Sequence, residues 1–149
     1  MSESLTFPEV RTRFVDSVIS EHSVVAPLTN IQAAVAFLSE KLAPECQEVF
    51  YAIYMDSKGV PIESREISRG TLSSSLVHPR EVFAPALMCR AASIIVAHNH
   101  PSGNPTPSAD DKKTTTRLVK AGTLLGIQVL DHIVIGHGSH YSFREHNLI

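Results

Sequence analysis

Apolar and polar positions alternate along the chain in a way that predicts a succession of helices and strands. Val10, Phe14 and Val18 stand four residues apart, which predicts a short amphipathic helix over about 9–20. Its apolar stripe needs a surface, either on the main domain or on a second copy of the chain, so a homodimer is one expected arrangement. Residues 1–26 are read as an N-terminal helical appendage and residues 27–149 as the domain. A helix capped by Asn30 follows, with Ile31, Ala34, Val35, Leu38 and Leu42 on its buried stripe and Pro44 as its stop. Residues 48–55 (EVFYAIYM) are aromatic and β-branched and apolar on both faces, as a central strand would be. After the turn at 56–59, residues 60–68 alternate as an exposed antiparallel strand does, with a further short strand expected near 73–75. Pro79 opens the next helix, with Val82, Ala86, Leu87 and Ala91 inward and Pro85 expected to kink it. A strand over 92–97, a stiff loop with three prolines, a helix from Ser108 to Leu125 stopped by Gly126, and strands over 127–135 and 140–143 complete the pattern. The last residues are expected to add a helical turn. This order predicts an α/β fold with a mixed β-sheet flanked by helices.

Composition narrows the picture. At 149 residues, 43% hydrophobic and 19% charged, the chain suits one globular domain. The formal net charge of -2, from 13 basic against 15 acidic residues, argues against a nucleic-acid-binding surface. Cys46 and Cys89 form no C-x-x-C, which excludes a zinc ribbon and a disulfide framework. Two free thiols, no signal-peptide pattern and no apolar run of about 18–20 residues lead to the expectation of a cytoplasmic protein without a membrane segment.

The chemistry concentrates in HNHPSGNPTPSADD, residues 98–111. Side chains at i and i+2 of a strand share a face, so His98 and His100 can present two imidazoles to one point. Asp111 comes to that point from the start of the next helix. Two imidazoles and one carboxylate leave a zinc ion a fourth, open position, the arrangement of a catalytic site.

Written in full, His98-x-His100-x7-Ser108-x2-Asp111 resembles the JAMM signature of the JAB/MPN metalloprotease superfamily. Three blocks narrow the resemblance to the RadC family: VHPREVF at 77–83, AHNHPSGNPTPS at 97–108 and LDHIVIG at 130–136. It covers roughly residues 27–149 and implies an α-β-α layered JAB/MPN fold with one zinc ion per chain held by His98, His100 and Asp111. It also implies a glutamate near the first strand as general base, the position of Glu48, with Glu45 the weaker alternative. Ser108 would steady the oxyanion. The function expected is a zinc metallohydrolase that cuts a peptide or isopeptide bond. Longer RadC proteins carry an N-terminal helix-hairpin-helix segment, for which residues 1–26 are too short, so its DNA-binding role is not carried over. Asn99 stands where deubiquitinating members have Ser or Thr, so ubiquitin cleavage is not carried over either.

Plainer readings compete at several positions. Ser108 and Asp111 form the pattern of a helix capping box, which accounts well for Ser108. It accounts less well for Asp111, because a carboxylate tied back to the cap is not free for a metal. Glu48 could be a solvated strand-end charge. His78, His132, His137 and His140 could support the ligands or be extra ligands, but are read as turn or surface residues. Lys113, Arg117 and Lys120 form a basic helical stripe read as a solvated face, and the aromatic residues read as core. An alternative of another class is a DNA-repair-associated accessory protein with a structural or vestigial zinc site. A zinc deaminase is disfavoured because its H-x-E…P-C-x-x-C pattern is absent.

Overall fold

The computed structural model describes residue 28, residues 30–70 and residues 77–149. The helix expected over 9–20 and the strand expected near 73–75 lie outside the described residues. Helix α1 spans Ile31–Leu42, β1 Val49–Met55, β2 Pro61–Arg69, α2 Pro79–Met88, β3 Ser93–Asn99, α3 Ala109–Leu125, β4 Gln128–Ile135 and β5 His140–Ser142. The five strands form one sheet in the order β2-β1-β3-β4-β5. β3 and β4 run parallel and every other pair antiparallel. This is the mixed α/β sheet that the residue pattern predicts.

Strand alternation divides the core in two. Phe50, Ala52 and Tyr54 of β1 join Ile94 and Val96 of β3 beneath Val82, Phe83 and Ala86 of α2 and Leu118 of α3. On the other face Ile53, Met55, Ile95, Ala97, Ile133 and Ile135 meet Ala34, Leu38 and Leu42 of α1. The sheet is therefore covered on both faces. β1 and β3 are nearly continuous apolar runs for that reason, as strands buried on both sides must be.

The local signals act as expected at several ends. The Asn30 side chain accepts the Ala33 N–H at 2.8 Å and starts α1. Gly126, at φ +72°, ends α3 in the left-handed conformation that a Cβ disfavours. Two expectations need correction. Leu87 is 53% exposed, and Phe83 takes its place inside. At 100° per residue Leu87 lies roughly 90° from the middle of the stripe formed by Val82, Phe83 and Ala86. β3 runs through Asn99 rather than ending at 97, which extends the ladder into the histidine motif. The chain end closes in hydrogen-bonded turns (Asn147 N–H to Arg144 O, Leu148 N–H to Phe143 O), with Asn147 in the left-handed conformation at φ +55°.

Candidate metal centre

Strand register brings the predicted residues together. β1 and β3 pair Phe50 with His98, Ala52 with Val96 and Tyr54 with Ile94. His98 therefore faces the α2–α3 side, stacked on Phe50 with ring centroids 6.0 Å apart. Continued two residues further, the same register places Glu48 across from His100. Asp111 arrives from the first turn of α3. One ligating atom from each of Glu48, His98, His100 and Asp111 lies within 4.8 Å of all the others, a group that could hold a metal ion.

The spacings within the group are unequal. His98 Nε2 and His100 Nε2 lie 3.0 Å apart. Asp111 Oδ1 is 3.3 Å from His98 Nε2, and Oδ2 is 3.4 Å from His100 Nε2. Ligand atoms about 2.0–2.1 Å from a tetrahedral zinc stand roughly 3.3 Å from one another, so these three fit a single ion. Glu48 Oε1 is 3.9 Å from His98 Nε2, beyond that spacing.

Proton accounting points the same way. His100 Nδ1 lies 2.8 Å from the carbonyl oxygen of Asn104, which can only accept. Nδ1 therefore carries a proton, and Nε2 is the nitrogen that faces the centre. The loop that supplies this carbonyl is packed tightly. Gly103 has φ +88°, and a Cβ there would stand 2.5 Å from His137 Nδ1.

Asp111 does two things that the sequence reading set against each other. Its Oδ2 accepts the Ser108 N–H at 2.7 Å while Ser108 Oγ accepts the Asp111 N–H at 3.0 Å, a complete capping box. The same carboxylate faces both imidazoles, because two oxygens offer about four acceptor positions and the cap uses one. Burial opposes its charge, but hydrogen bonds from His100 and His98 prevail and hold it well below the usual carboxylate range. His100 is raised, chiefly by its bond with Asp111. Glu48 is raised by burial, against the pull of His98 and His100.

Two further residues belong to the centre, and the sequence reading placed neither there. His132 was expected at a turn or on the surface. It is fully buried at the heart of β4, with Nε2 2.8 Å from His98 Nδ1 and Nδ1 2.6 Å from Thr115 Oγ1. Its pKa lies well below the ordinary histidine value because burial disfavours the cation, and His98 adds to that. Asn99, 3% exposed, accepts the Val49 N–H on Oδ1 at 2.7 Å and donates through Nδ2 to the carbonyl of Gln47 at 2.9 Å. It thus holds the backbone on both sides of Glu48. An amide between two histidines, where a donor and an acceptor are needed at once, was the available signal. Glu45 points away into an ion pair with the exposed Arg69. Lys113, Arg117 and Lys120 are exposed on α3.

Comparison with known proteins agrees with this architecture. Residues 28–148 match the family described as RadC-like JAB domain. The chain is 48% identical over 122 residues to a UPF0758 protein of Symbiobacterium thermophilum, covering 82% of this chain and 52% of that protein. It is 52% identical over 103 residues to a UPF0758 protein of Clostridioides difficile, covering 69% and 44% respectively. A third UPF0758 protein, from Protochlamydia amoebophila, is 42% identical over 146 residues, covering 98% and 60%. The chain thus spans about half the length of the curated relatives it matches.

Proposed function

The chain belongs to the RadC-like JAB family, and from that premise we propose that it is a zinc-dependent hydrolase that cleaves an amide bond of a peptide or isopeptide. The observation that carries this reading is the unequal spacing at the centre. Three donors stand at ligand separation, and one carboxylate stands just outside it. A structural zinc site closes all four positions with ligands and has no use for a base.

A zinc ion held by His98, His100 and Asp111 would supply Lewis acidity and bring the pKa of a water in its open position to about 7. Glu48 takes the proton of the attacking water as its oxygen adds to the amide carbon. Burial makes this carboxylate more basic than an ordinary glutamate. As the C–N bond breaks, Glu48 passes the proton to the leaving amine. Ser108 Oγ accepts from the Asp111 N–H and keeps its own proton to donate to the developing oxyanion. An open hollow of about 260 Å³, lined by Cys46, Gln47, Glu48, Gly70 and Pro101, gives a substrate access beside the base.

Two variants test the assignment. Glu48→Gln keeps shape and hydrogen bonding but cannot take a proton. It should retain its zinc while hydrolysis of peptide or isopeptide substrates falls at least ~10²-fold. His98→Ala should lose activity by losing zinc. Elemental analysis beside the rates separates the two failures. Loss of zinc from Glu48→Gln would make Glu48 a ligand, and full activity would place the base elsewhere.

A further inference from the structure

His100 stands just past the end of β3, and the loop that follows it has few means of holding itself in place. Pro101, Pro105 and Pro107 stiffen residues 101–107 but remove three backbone donors. The bonds the loop makes locally are short-range, Gly103 N–H to His100 O at 2.9 Å and Thr106 N–H to Asn104 Oδ1 at 3.0 Å. Two consecutive carbonyls bond elsewhere. Asn104 O lies 2.8 Å from His100 Nδ1, and Gly103 O accepts the His137 N–H at 2.9 Å. One peptide carbonyl thus sets the His100 ring, and the carbonyl before it is held by the turn between β4 and β5.

That turn makes backbone contact with the loop. Gly136 N–H bonds Ser139 O at 2.9 Å and closes residues 136–139. Gly136 itself is buried. A Cβ there would overlap the carbonyl oxygen of Gly103 and stand 2.9 Å from Pro105 Cδ and 3.0 Å from Ser139 Oγ. The first of these atoms is backbone, so no change of rotamer makes room for it. In the same contact the His137 ring closes over Gly103. One residue before the turn, Ile135 O accepts the His100 N–H at 2.9 Å. The end of β4 and its turn therefore hold His100 twice, by its backbone directly and by its ring through Gly103 and Asn104.

We propose that Gly136 is a positioning residue of the metal centre. By admitting the β4–β5 turn to backbone contact with the 101–107 loop, it fixes the His100 ring relative to His98 and Asp111. Adjacent peptide units share one Cα, so a displaced Gly103 carbonyl carries the Asn104 carbonyl with it. His98 is placed by the β3 ladder and Asp111 by the cap of α3. His100 is the member of the group whose ring depends on a contact between two loops. Partners that orient a ligating histidine typically change metal affinity about 10–100-fold when lost. The coupling is reciprocal, so a metal bound more tightly when the contact is closed must itself hold the contact closed. The metal half of the proposal rests on the zinc reading above, while the loop contact does not.

The test starts with amide hydrogen exchange of the metal-free wild-type protein, followed by NMR. The His137 amide should be protected, although the residue is exposed. Zinc alone should slow its exchange by a further factor of about 10–100, the same factor by which the contact raises zinc affinity. Gly136→Ala should open the contact, speed exchange at His137 and lower zinc affinity about 10–100-fold, read by competition with a chromophoric chelator. Gly126→Ala is the control: it strains the left-handed end of α3, away from the centre, and should leave zinc affinity per folded chain unchanged. Should Gly136→Ala fail to fold, wild-type exchange with and without zinc decides the matter alone. A His137 amide that exchanges as freely as an open loop would overturn the proposal, as would protection that is the same in zinc-loaded protein. Unchanged affinity in Gly136→Ala, or an equal loss in Gly126→Ala, would overturn it too. A protected amide in a protein that takes up no zinc would support the loop contact and instead overturn the metal reading.

Discussion

Asp111 and Asp131 are both largely withdrawn from water, and their environments push them in opposite directions. Asp131 sits on β4 facing the α1 side. It accepts hydrogen bonds from the Ser142 hydroxyl and from the backbone N–H groups of His132 and Arg144. Burial nevertheless prevails over these neutral donors and raises its pKa. Asp111 has one backbone bond and two imidazoles, and its pKa is driven down. Neutral donors can satisfy a carboxylate's geometry without holding its charge, whereas titratable nitrogens can do both. The first arrangement closes a structure: Asp131 ties β5 and the chain end to β4. The second leaves capacity open toward a shared point, where a cation can replace the protons. A second hollow follows the first group. At about 420 Å³, it is lined by Asp131, Ser142 and α1 residues, away from the metal-facing side chains.

This contrast can be broken directly. Asp111→Ala should lose most of the bound zinc while its unfolding free energy in urea stays within about 1 kcal/mol, because only a partly exposed cap is lost. Asp131→Ala should do the reverse. It strands three donors, two of them buried, and should destabilise the fold by about 2–4 kcal/mol, with zinc content per folded chain unchanged. Zinc loss in the second variant, or its retention in the first, would erase the distinction.

Asn99 lies between the two types, with structural bonds and a functional neighbour. Asn99→Ala leaves the Val49 N–H unpaired and should cost about 1–3 kcal/mol. It also releases the backbone on both sides of Glu48, so activity should fall about 10–100-fold with zinc retained. Rates at saturating zinc, set beside urea melts, would show whether the two losses occur together.

The smallest effect is in pH. A metal needs the His100 Nε2 lone pair, and the bond to Asp111 raises the pKa at which that pair is freed above the ordinary 6.5. Protons therefore compete at low pH, and zinc affinity should rise with pH through the raised value, changing about tenfold per unit below it. Asp131→Asn should leave this curve unmoved, since that carboxylate touches none of the metal-facing groups. A curve that is flat through neutrality in the wild type would remove His100 from the ligand set.

Much of this protein could be read along the chain. Helix ends at Asn30, Ser108 and Gly126 are local, set by one side chain or one φ angle, so the residues there announce them. The grouping of His98, His100 and Asp111 is nearly local, because strand alternation and a helix start place them within 14 residues of sequence. Glu48 is 50 residues from His98, and its approach needed the β1–β3 register, for which the chain alone supplied only a resemblance. The role of Asn99 was hidden for the same reason, since its partners belong to β1. His132 was wholly a tertiary matter. β4 pairs Val129 with Ile94 and then Asp131 with Ile95, leaving Leu130 as an extra residue. Simple alternation from Val129 would turn His132 toward α1. The extra residue reverses the phase, so that His132 shares the face of His98 and meets Thr115. A bulge in a strand leaves no mark on composition or periodicity. Sequence therefore determined which atoms could ligate, while the packing of β4 against β3 decided which buried side chains stand behind them.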